Sequence, residues 1–325
     1  MSRGRYAPSP TGYLHLGNAR TALAAWLHTR AQGGTFILRI EDLDSQRCKP
    51  EFIKANLEEL RWLGIDWDEG PDIGGNYGPY IQSQRHHLYQ AALEHLQNNH
   101  YLFECYLSRK DLQDIASAPH ESAPHEKVSA YGKKERKLNA QMKAQKQQEG
   151  KTSSLRFGVP DRVIALEDAV YGKRLFSALH EVGDFVVKRA DGEWAYQLAV
   201  VVDDIAMKIS EVVRGEDLLQ SSAAQLLLYE ALGATPPNFA HVPLLADETG
   251  LRMSKRKGSL TLSALKGKGA KPERLVGLLA FSLGFLDKPS KVTPRDLVSH
   301  YSIKAYDAAI LQLKPNHLEW LYATT

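Results

Sequence analysis

The chain has 325 residues, of which 43% are hydrophobic and 24% are charged, which are ordinary values for a globular protein of two or three domains. Its net charge of only +3 excludes a general attraction to nucleic acid, so any such affinity requires a local basic patch. Two cysteines exclude a disulfide framework, and the lack of a long apolar run or signal peptide predicts a cytoplasmic protein without membrane contact.

The first hundred residues are predicted to alternate between strands and helices. The predicted elements are a strand over 4–7, a helix over 19–30, a strand over 35–40 and a helix over 50–63. This alternation is typical of a parallel sheet covered by helices. Because ligands bind at the carboxyl ends of the strands in such sheets, we expect His15 and Glu41 to lie at the binding edge.

A second half with the same pattern is predicted after residue 184. Its predicted elements are strands over 184–188, 194–202 and 209–214, a helix over 223–232 and an apolar stretch over 241–245. An inserted stretch over roughly 101–183 separates the two halves. Within it, residues 133–151 are polar nearly throughout, which favours a solvated surface helix or a partly disordered loop and leaves contact with nucleic-acid phosphates as the alternative.

The C-terminal part of the chain is basic. Residues 252–295 contain eleven lysines or arginines and two acids, a local net charge of +9 (eleven minus two). Helical periodicity resumes from Leu275 onward. A basic helical module suits contacts with a nucleic-acid backbone, and coincidental surface charge is the alternative interpretation.

Two short motifs about 240 residues apart carry the chemistry. Residues 8–18 (PSPTGYLHLGN) can form a glycine-bearing turn that brings an imidazole and backbone groups to a phosphate at the positive end of a helix. Residues 252–256 (RMSKR) place a hydroxyl and basic groups on a loop that can close over a triphosphate. In this order and at this separation, the two motifs resemble the ATP-binding signatures of class I aminoacyl-tRNA synthetases.

Further motifs are similar to those of the glutamyl-tRNA synthetases. They are RYAPSPTGYLHLG at 5–17, LRIED at 38–42, VVVDD at 200–204, VRGE at 213–216 and MSKR at 253–256. Within that family the chain most resembles the short paralogues that attach glutamate to the queuosine base of tRNA(Asp). A full synthetase carries a further helical anticodon-binding region of well over a hundred residues, whereas this sequence ends at Thr325.

The resemblance implies an α/β fold. A Rossmann-like parallel sheet is expected to be split by an inserted α/β domain and followed by a small helical C-terminal module, without an anticodon-binding domain. The implied parts are the first half of the nucleotide-binding fold over 1–100, the insert over 101–183, the second half with the closing loop over 184–258 and the basic helical module over 259–325.

Glutamate carries two carboxylates and one ammonium, so its pocket needs two cationic partners and one anionic partner. Arg5 and Arg214 offer planar forks for carboxylates, and Glu41 offers a partner for the ammonium. The resemblance implies that the residues that bind glutamate are Arg5, Ala7, Ser9, Glu41, Tyr196 and Arg214.

The resemblance also implies an ATP site next to the glutamate pocket. The implied ATP-binding residues are Pro8, His15, Gly17, Asn18, Met253, Ser254 and Lys255. Among them His15 and Lys255 are the implied catalytic residues, since His15 contacts the phosphates and Lys255 stabilises the leaving pyrophosphate. Gly17 is expected to leave room for the nucleotide against the helix. Magnesium is expected with ATP, and no protein ligand for it is assigned.

Three positions depart from the pattern of the family. Asn18 stands where many class I enzymes have a second histidine, and Arg252 replaces the usual first lysine of the closing loop. Many relatives bind a structural zinc in the insert through a Cys-x-Cys pair, but here Cys105 is followed by Leu107 and no later cysteine. One thiolate cannot complete such a tetrahedral site, so we predict no zinc and no other protein-bound metal.

The predicted partners are therefore glutamate, ATP and tRNA(Asp) carrying queuosine, with no membrane and with a monomeric enzyme. Two alternatives stay open at this point. The first is a truncated glutamyl-tRNA synthetase that charges the acceptor end of tRNA(Glu). The second is a non-catalytic tRNA-binding relative, against which the intact predicted site residues argue.

Overall fold

A computed structural model describes residues 2–108, 111, 131–245, 260–308 and 312–322 of the chain. The strands are β1 (Arg3–Tyr6), β2 (Thr35–Leu38), β3 (Leu102–Cys105), β4 (Ser154–Phe157), β5 (Val163–Asp168), β6 (Gly172–Ser177), β7 (Phe185–Lys188), β8 (Glu211–Gly215) and β9 (Asn238–Val242). The helices are α1 (Leu16–Ala31), α2 (Pro50–Trp62), α3 (His86–Asn98), α4 (Lys133–Gln148), α5 (Tyr196–Ala206), α6 (Leu219–Ala231), α7 (Leu262–Gly267), α8 (Pro272–Ser282), α9 (Pro294–Leu297) and α10 (Pro315–Glu319).

Six strands form the main sheet in the order β2-β1-β8-β9-β5-β6. Neighbouring strands are parallel except β5 and β6, which form an antiparallel hairpin at one edge. The register places Arg214 of β8 beside His241 of β9, and Asp168 of β5 beside Phe239 of β9. Because the strands are parallel, the ends of β1, β5, β8 and β9 point to the same edge of the sheet, as expected for a Rossmann-like fold.

Helix α1 lies at the centre of the larger hydrophobic core. It packs against β1 and β8 on one side and against α8 on the other, and ten of its sixteen residues are buried. Its N-terminus therefore has a fixed position beside the ends of β1 and β8. The apolar residues that the sequence places on one face of α2 join the same core, including Leu57 and Leu60.

A smaller antiparallel sheet of β3, β4 and β7 stands beside the main sheet. Helix α4 covers most of the polar stretch over 133–151, and most of its side chains are exposed, so of the two forms expected for this stretch the structure shows the surface helix. A role for α4 in nucleic-acid contact stays a prediction, as do the domain bounds. None of the described helices has both the length and the apolar character needed to cross a membrane.

Most of the predicted elements are confirmed, with ends shifted by a few residues. The predicted strand over 194–202 is wrong, because most of this stretch lies in helix α5. A short apolar run fits either a buried strand or a buried helix, and periodicity alone does not separate them. Here Leu198 to Val202 are buried on all sides, so the helix shows no polar face by which it could be recognised.

Candidate active site

The ends of β1 and β8 and the first turns of α1 and α5 surround a pocket of about 280 Å³. The predicted site residues that line it are Arg5, Ala7, Pro8, Ser9, His15, Gly17, Asn18, Glu41, Tyr196 and Arg214. The structure thus brings together residues from both halves of the sequence. The remaining predicted residues, Met253, Ser254 and Lys255, lie outside the described residues.

One side of the pocket is a buried network of alternating charges around Arg5. Arg5 donates from Nε and Nη2 to the two carboxylate oxygens of Asp204, at 3.3 and 3.4 Å. Arg39 donates to the same carboxylate at 2.6 Å and to Oε1 of Glu41 at 3.0 Å. Because these side chains are all nearly inaccessible to solvent, each charge depends on its neighbours for stabilisation.

The network continues through the preceding residue of α5. Asp203 accepts from Arg85 at 2.6 Å, from Gln82 at 2.8 Å and from the hydroxyl of Tyr89 at 2.9 Å. The three buried arginines 5, 39 and 85 thus face the three buried carboxylates 41, 203 and 204. This side of the pocket is balanced in charge before any ligand binds.

Burial and charge act in opposite directions on the carboxylates of this network. Burial would raise the pKa of Asp204, but Arg5 and Arg39 outweigh it and hold that pKa below its ordinary value. For Glu41 burial prevails and raises the pKa, although Arg39 and Arg5 oppose it. A bound ammonium group at Glu41 would therefore stabilise its ionised form.

The opposite side of the pocket holds Arg214 with neutral partners. Its Nε donates to Nε2 of His241 at 3.1 Å, and its Nη2 donates to Oγ of Ser222 at 2.6 Å and to Oε1 of Gln225 at 2.7 Å. Arg214 is only 4% exposed, and burial lowers its pKa. No carboxylate among the described residues forms an ion pair with it.

His241 connects Arg214 to a carboxylate without touching the pocket. Its Nδ1 lies 2.6 Å from Oδ2 of Asp168, and both side chains are fully buried. Burial lowers the pKa of His241, which favours the neutral ring. Burial opposes ionisation of Asp168 as well, but the hydrogen bonds from His241 and from the amide of Tyr171 keep the pKa of Asp168 below its ordinary value.

His15 marks the N-terminus of α1 and caps it. Its Nδ1 accepts from the amide of Gly17 at 3.1 Å, while Oδ1 of Asn18 accepts from the amide of His15 at 3.2 Å. A Cβ atom at Gly17 would lie 3.1 Å from Cε1 of His15, so the glycine leaves room for the imidazole. The cap holds this ring at the positive end of the helix, where an anion is stabilised.

The residues on either side of the predicted closing loop are anchored at the pocket. The amide of Leu244 donates to Oε1 of Glu216 at 2.8 Å, just before the segment 246–259, which lies outside the described residues. Just after it, Thr261 pairs with His15 in an isolated β-bridge, and the amide of Leu262 donates to the carbonyl of Leu14 at 2.8 Å.

A second cavity of about 770 Å³ adjoins the first and shares Ser9, Thr11, Glu41 and Tyr196 with it. It lies between the main sheet and the three-stranded sheet. Its walls carry charged side chains of both signs, among them Asp44, Arg47, Arg156, Arg189 and Asp191. The first cavity therefore adjoins a larger one whose walls carry both charged and apolar groups.

The surroundings of Cys105, where many relatives bind zinc, are apolar. Cys105 is buried against Leu107 and Tyr131, and its Sγ lies 3.5 Å from the hydroxyl of Tyr131. Within the part of the chain that the structure describes, no three histidine, cysteine or acidic side chains are grouped as a metal site would need. The absence of zinc stays a prediction, since residues 112–130 of this region lie outside the described residues.

Sequence reasoning missed three residues that hold the predicted ones. Asp204 pairs with Arg5, while His241 and Asp168 support Arg214. The sequence contains two signals for Asp204: it ends the family-like motif VVVDD at 200–204, and it belongs to an acidic pair directly after an apolar run, where a charge is unexpected unless it is paired. His241 begins the apolar stretch over 241–245 and Asp168 lies in the inserted stretch, and neither carries such a signal.

Comparisons with known proteins identify the family of the chain. Residues 2–301 match the family described as tRNA synthetases class I (E and Q), catalytic domain. The chain is 49% identical to the glutamyl-Q tRNA(Asp) synthetase of Symbiobacterium thermophilum, over 93% of both chains. It is 45% identical to the protein of the same name from Nitratidesulfovibrio vulgaris, over 92% of this chain and 91% of that one.

The chain is also similar to glutamate–tRNA ligases, but it covers a smaller share of their length. The chain is 44% identical to glutamate–tRNA ligase 2 of Acidithiobacillus ferrooxidans, over 88% of this chain and 60% of that one. The crystal structure of a glutamate tRNA ligase from Elizabethkingia meningosepticum in complex with its amino acid matches with a TM-score of 0.84 at 30% identity. That match covers 98% of this chain and 68% of the other.

Proposed function

Because the chain belongs to the class I tRNA synthetases for glutamate and glutamine, we propose that it activates glutamate with ATP and transfers it to the queuosine base of tRNA(Asp). The observation that carries the choice of amino acid is the buried guanidinium of Arg214, whose hydrogen-bond partners are all neutral. A buried charge without a counter-ion is costly, so this group favours an anionic ligand.

The arrangement of both arginines suits a dicarboxylate. Arg5 uses Nε and Nη2 toward Asp204, and Arg214 uses Nε and Nη2 toward its neutral partners, so in each case the described hydrogen bonds leave out Nη1. Both side chains line the same pocket, and Glu41 lies there with them. Two guanidinium groups and one carboxylate match the two carboxylates and the ammonium of glutamate.

Activation consists of attack by the α-carboxylate of glutamate on the α-phosphorus of ATP, with departure of pyrophosphate. Such a transfer depends mainly on positioning and on neutralisation of negative charge. His15 at the N-terminus of α1 is suited to the phosphates, and Lys255 is proposed to stabilise the pyrophosphate. Magnesium is proposed to arrive with ATP, and we assign no protein ligand to it.

In the second step a nucleophile of the queuosine base attacks the carbonyl carbon of glutamyl-adenylate, and AMP leaves. The larger cavity that adjoins the pocket at Ser9, Glu41 and Tyr196 offers space for this acceptor. The choice of tRNA(Asp) is supported by the two relatives named for it, of which the chain covers nine tenths or more. The relatives named glutamate–tRNA ligase favour the second candidate, a synthetase that charges tRNA(Glu).

The test is transfer of labelled glutamate, with ATP, to two tRNA preparations. One contains tRNA(Asp) with queuosine, the other is free of queuosine, and both contain tRNA(Glu). We expect label only in the first preparation, on tRNA(Asp). Equal label in both preparations, on tRNA(Glu), would establish the second candidate, and the absence of glutamate-dependent pyrophosphate exchange would establish a non-catalytic relative.

The proposed role of Lys255 has its own test. Lys255→Ala should slow glutamate-dependent pyrophosphate exchange by about a hundredfold or more, since a charge at the leaving group acts mainly in the transition state. Lys257→Ala, two residues along the chain, is the matched control and should leave the rate close to that of the wild type. If Lys255→Ala exchanges as fast as the wild type, this role is wrong.

A further inference from the structure

We propose that Asp168 and His241 are positioning residues that hold Arg214 in place without neutralising it, and thereby favour glutamate over glutamine in the pocket. The proposal rests on the proposed activation of glutamate and adds two residues to it. Neither residue lines the pocket, so both act through Arg214 and not on the substrate.

The three side chains follow one another across three adjacent strands of the main sheet. Asp168 ends β5, His241 lies on β9 and Arg214 lies on β8, and the register places Arg214 directly beside His241. Oδ1 of Asp168 also accepts from the amides of Val170 and Tyr171, at 3.0 and 2.9 Å. These two backbone amides therefore fix the position of the Asp168 carboxylate.

The hydrogen bonds determine which ring nitrogen of His241 carries the proton. An ionised carboxylate can only accept, so Nδ1 must donate to Asp168. A guanidinium can only donate, so Nε2 must accept from Arg214. Both conditions are met only by the neutral ring with its proton on Nδ1, and an imidazolium would direct an N–H toward the N–H of Arg214.

A neutral spacer between the two charges has a specific consequence. A carboxylate directly against Arg214 would satisfy its charge and remove the need for an anionic ligand. His241 instead supplies an acceptor for Nε and separates the guanidinium from Asp168 by the width of the ring. Arg214 thus keeps a fixed orientation and an unneutralised charge, which a substrate carboxylate satisfies better than the amide of glutamine does.

Three variants separate this role from a general structural one. His241→Phe keeps an aromatic ring next to Phe239 but removes the acceptor for Arg214. Asp168→Asn keeps the shape of the side chain but has one oxygen in place of two, so it cannot accept both from Nδ1 of His241 and from the two backbone amides. His241→Gln restores an acceptor near Arg214. Tyr229→Phe is the matched buried control, because its hydroxyl has no hydrogen-bond partner among the described residues.

The first readout is pyrophosphate exchange, with KM measured separately for glutamate and for ATP. For His241→Phe and Asp168→Asn we expect the KM for glutamate to rise by about tenfold or more, as for loss of a hydrogen bond to a charged group. The KM for ATP should stay within about twofold, the preference over glutamine should fall, and His241→Gln should recover part of the loss. Equal increases in both KM values, or an unchanged KM for glutamate, would overturn the proposal.

The second readout needs no activity. Nitrogen-15 spectra of the histidine rings, assigned by comparison with His241→Phe, should show a neutral His241 protonated on Nδ1 at neutral pH, and Asp168→Asn should change that state. A ring protonated on Nε2 or on both nitrogens would overturn the arrangement even if a variant fails to fold. If the wild-type protein shows no glutamate-dependent exchange, the proposed function fails, while these spectra still decide the hydrogen-bond arrangement.

Discussion

The two arginines of the pocket are held in opposite ways. Arg5 belongs to a network in which three buried arginines meet three buried carboxylates, whereas Arg214 is held by a histidine, a serine and a glutamine. A balanced network has little electrostatic need for a ligand, and a buried charge with neutral partners has a strong one. We infer that the side around Arg5 gives the pocket its shape and the side around Arg214 selects the charge of the ligand.

The largest expected effect comes from breaking the balanced side. Asp204→Asn leaves Arg5 and Arg39 buried without a shared counter-ion, so we expect the free energy of unfolding to fall by about 3–5 kcal/mol. Urea denaturation with activity measured in parallel checks this.

The matched control for that variant is Asp191→Asn. Asp191 pairs with Arg189 at 2.5 Å, but both side chains are about half exposed (49% and 51%), so the change in stability should be small. If the two variants lose the same small amount of stability, the charged network does not hold this side of the pocket together.

The next largest effect comes from removing the unbalanced charge. Arg214→Gln should lower kcat/KM for glutamate by about a hundredfold or more, as for truncation of a buried, hydrogen-bonded charge partner. Its free energy of unfolding should change by no more than about 1 kcal/mol, because the lost hydrogen bonds are offset by the removal of a buried charge.

Arg162→Gln is the control for this second variant. Arg162 forms an ion pair with Glu230 outside the pocket, so both kinetics and stability should stay close to those of the wild type. A variant at Arg214 that loses as much stability as Asp204→Asn while keeping its activity would reverse the assignment of the two sides.

The dependence of stability on pH should separate the two sides further. The lowered pKa of His241 means that the unfolded chain takes up its proton first, so stability present above about pH 6.5 is lost as the pH falls below that value. The lowered pKa of Asp204 acts in the same direction but only below about pH 3.9.

Each variant should therefore remove one part of that profile. We measure the free energy of unfolding by urea denaturation from pH 8 to pH 5. It should fall less steeply in His241→Phe than in the wild type, and the two slopes should differ by at most about 1.4 kcal/mol per pH unit. Asp204→Asn should keep the wild-type slope over this range. Identical slopes for the wild type and His241→Phe would contradict a neutral buried histidine.

The sequence predicted the strands and helices of the first half of the sheet because their patterns are local. β1, α1, β2 and α2 each follow from a short apolar period and a capping or breaking residue, and the structure confirms them. The apolar run before Asp203 has no polar face, so its helix could not be distinguished from a strand by pattern alone. Because the helix was predicted as a strand, the contacts of Asp203 and Asp204 with the buried arginines could not be predicted.

The site residues also divide into those that local sequence motifs predict and those that only long-range pairing brings together. Those carried by contiguous motifs, such as Arg5, His15 and Glu41, could be predicted to meet because the motifs are specific and the fold is known for the family. Asp168 and His241 could not be predicted, since only the register of β5, β9 and β8 brings them next to Arg214. Long-range pairing of buried polar groups leaves no local pattern.

The smallest effect is expected from Ser222→Ala, which removes one of the neutral partners of Arg214. Nη2 also donates to Gln225 at 2.7 Å and lies 3.5 Å from the carbonyl of Leu218, so the lost hydrogen bond is partly replaced. We therefore expect the KM for glutamate to rise by only about threefold, less than for the complete loss of a hydrogen bond to a charged group.

Ser282→Ala is the matched control for that last variant. Like Ser222, Ser282 is fully buried and its Oγ accepts from a buried arginine, Arg20, at 3.0 Å, but it lies on α8 away from Arg214. Because both variants delete the same group, their losses in stability should be similar, and only Ser222→Ala should change the KM for glutamate. Equal changes in KM would mean that the neutral partners of Arg214 act through general packing and not through its orientation.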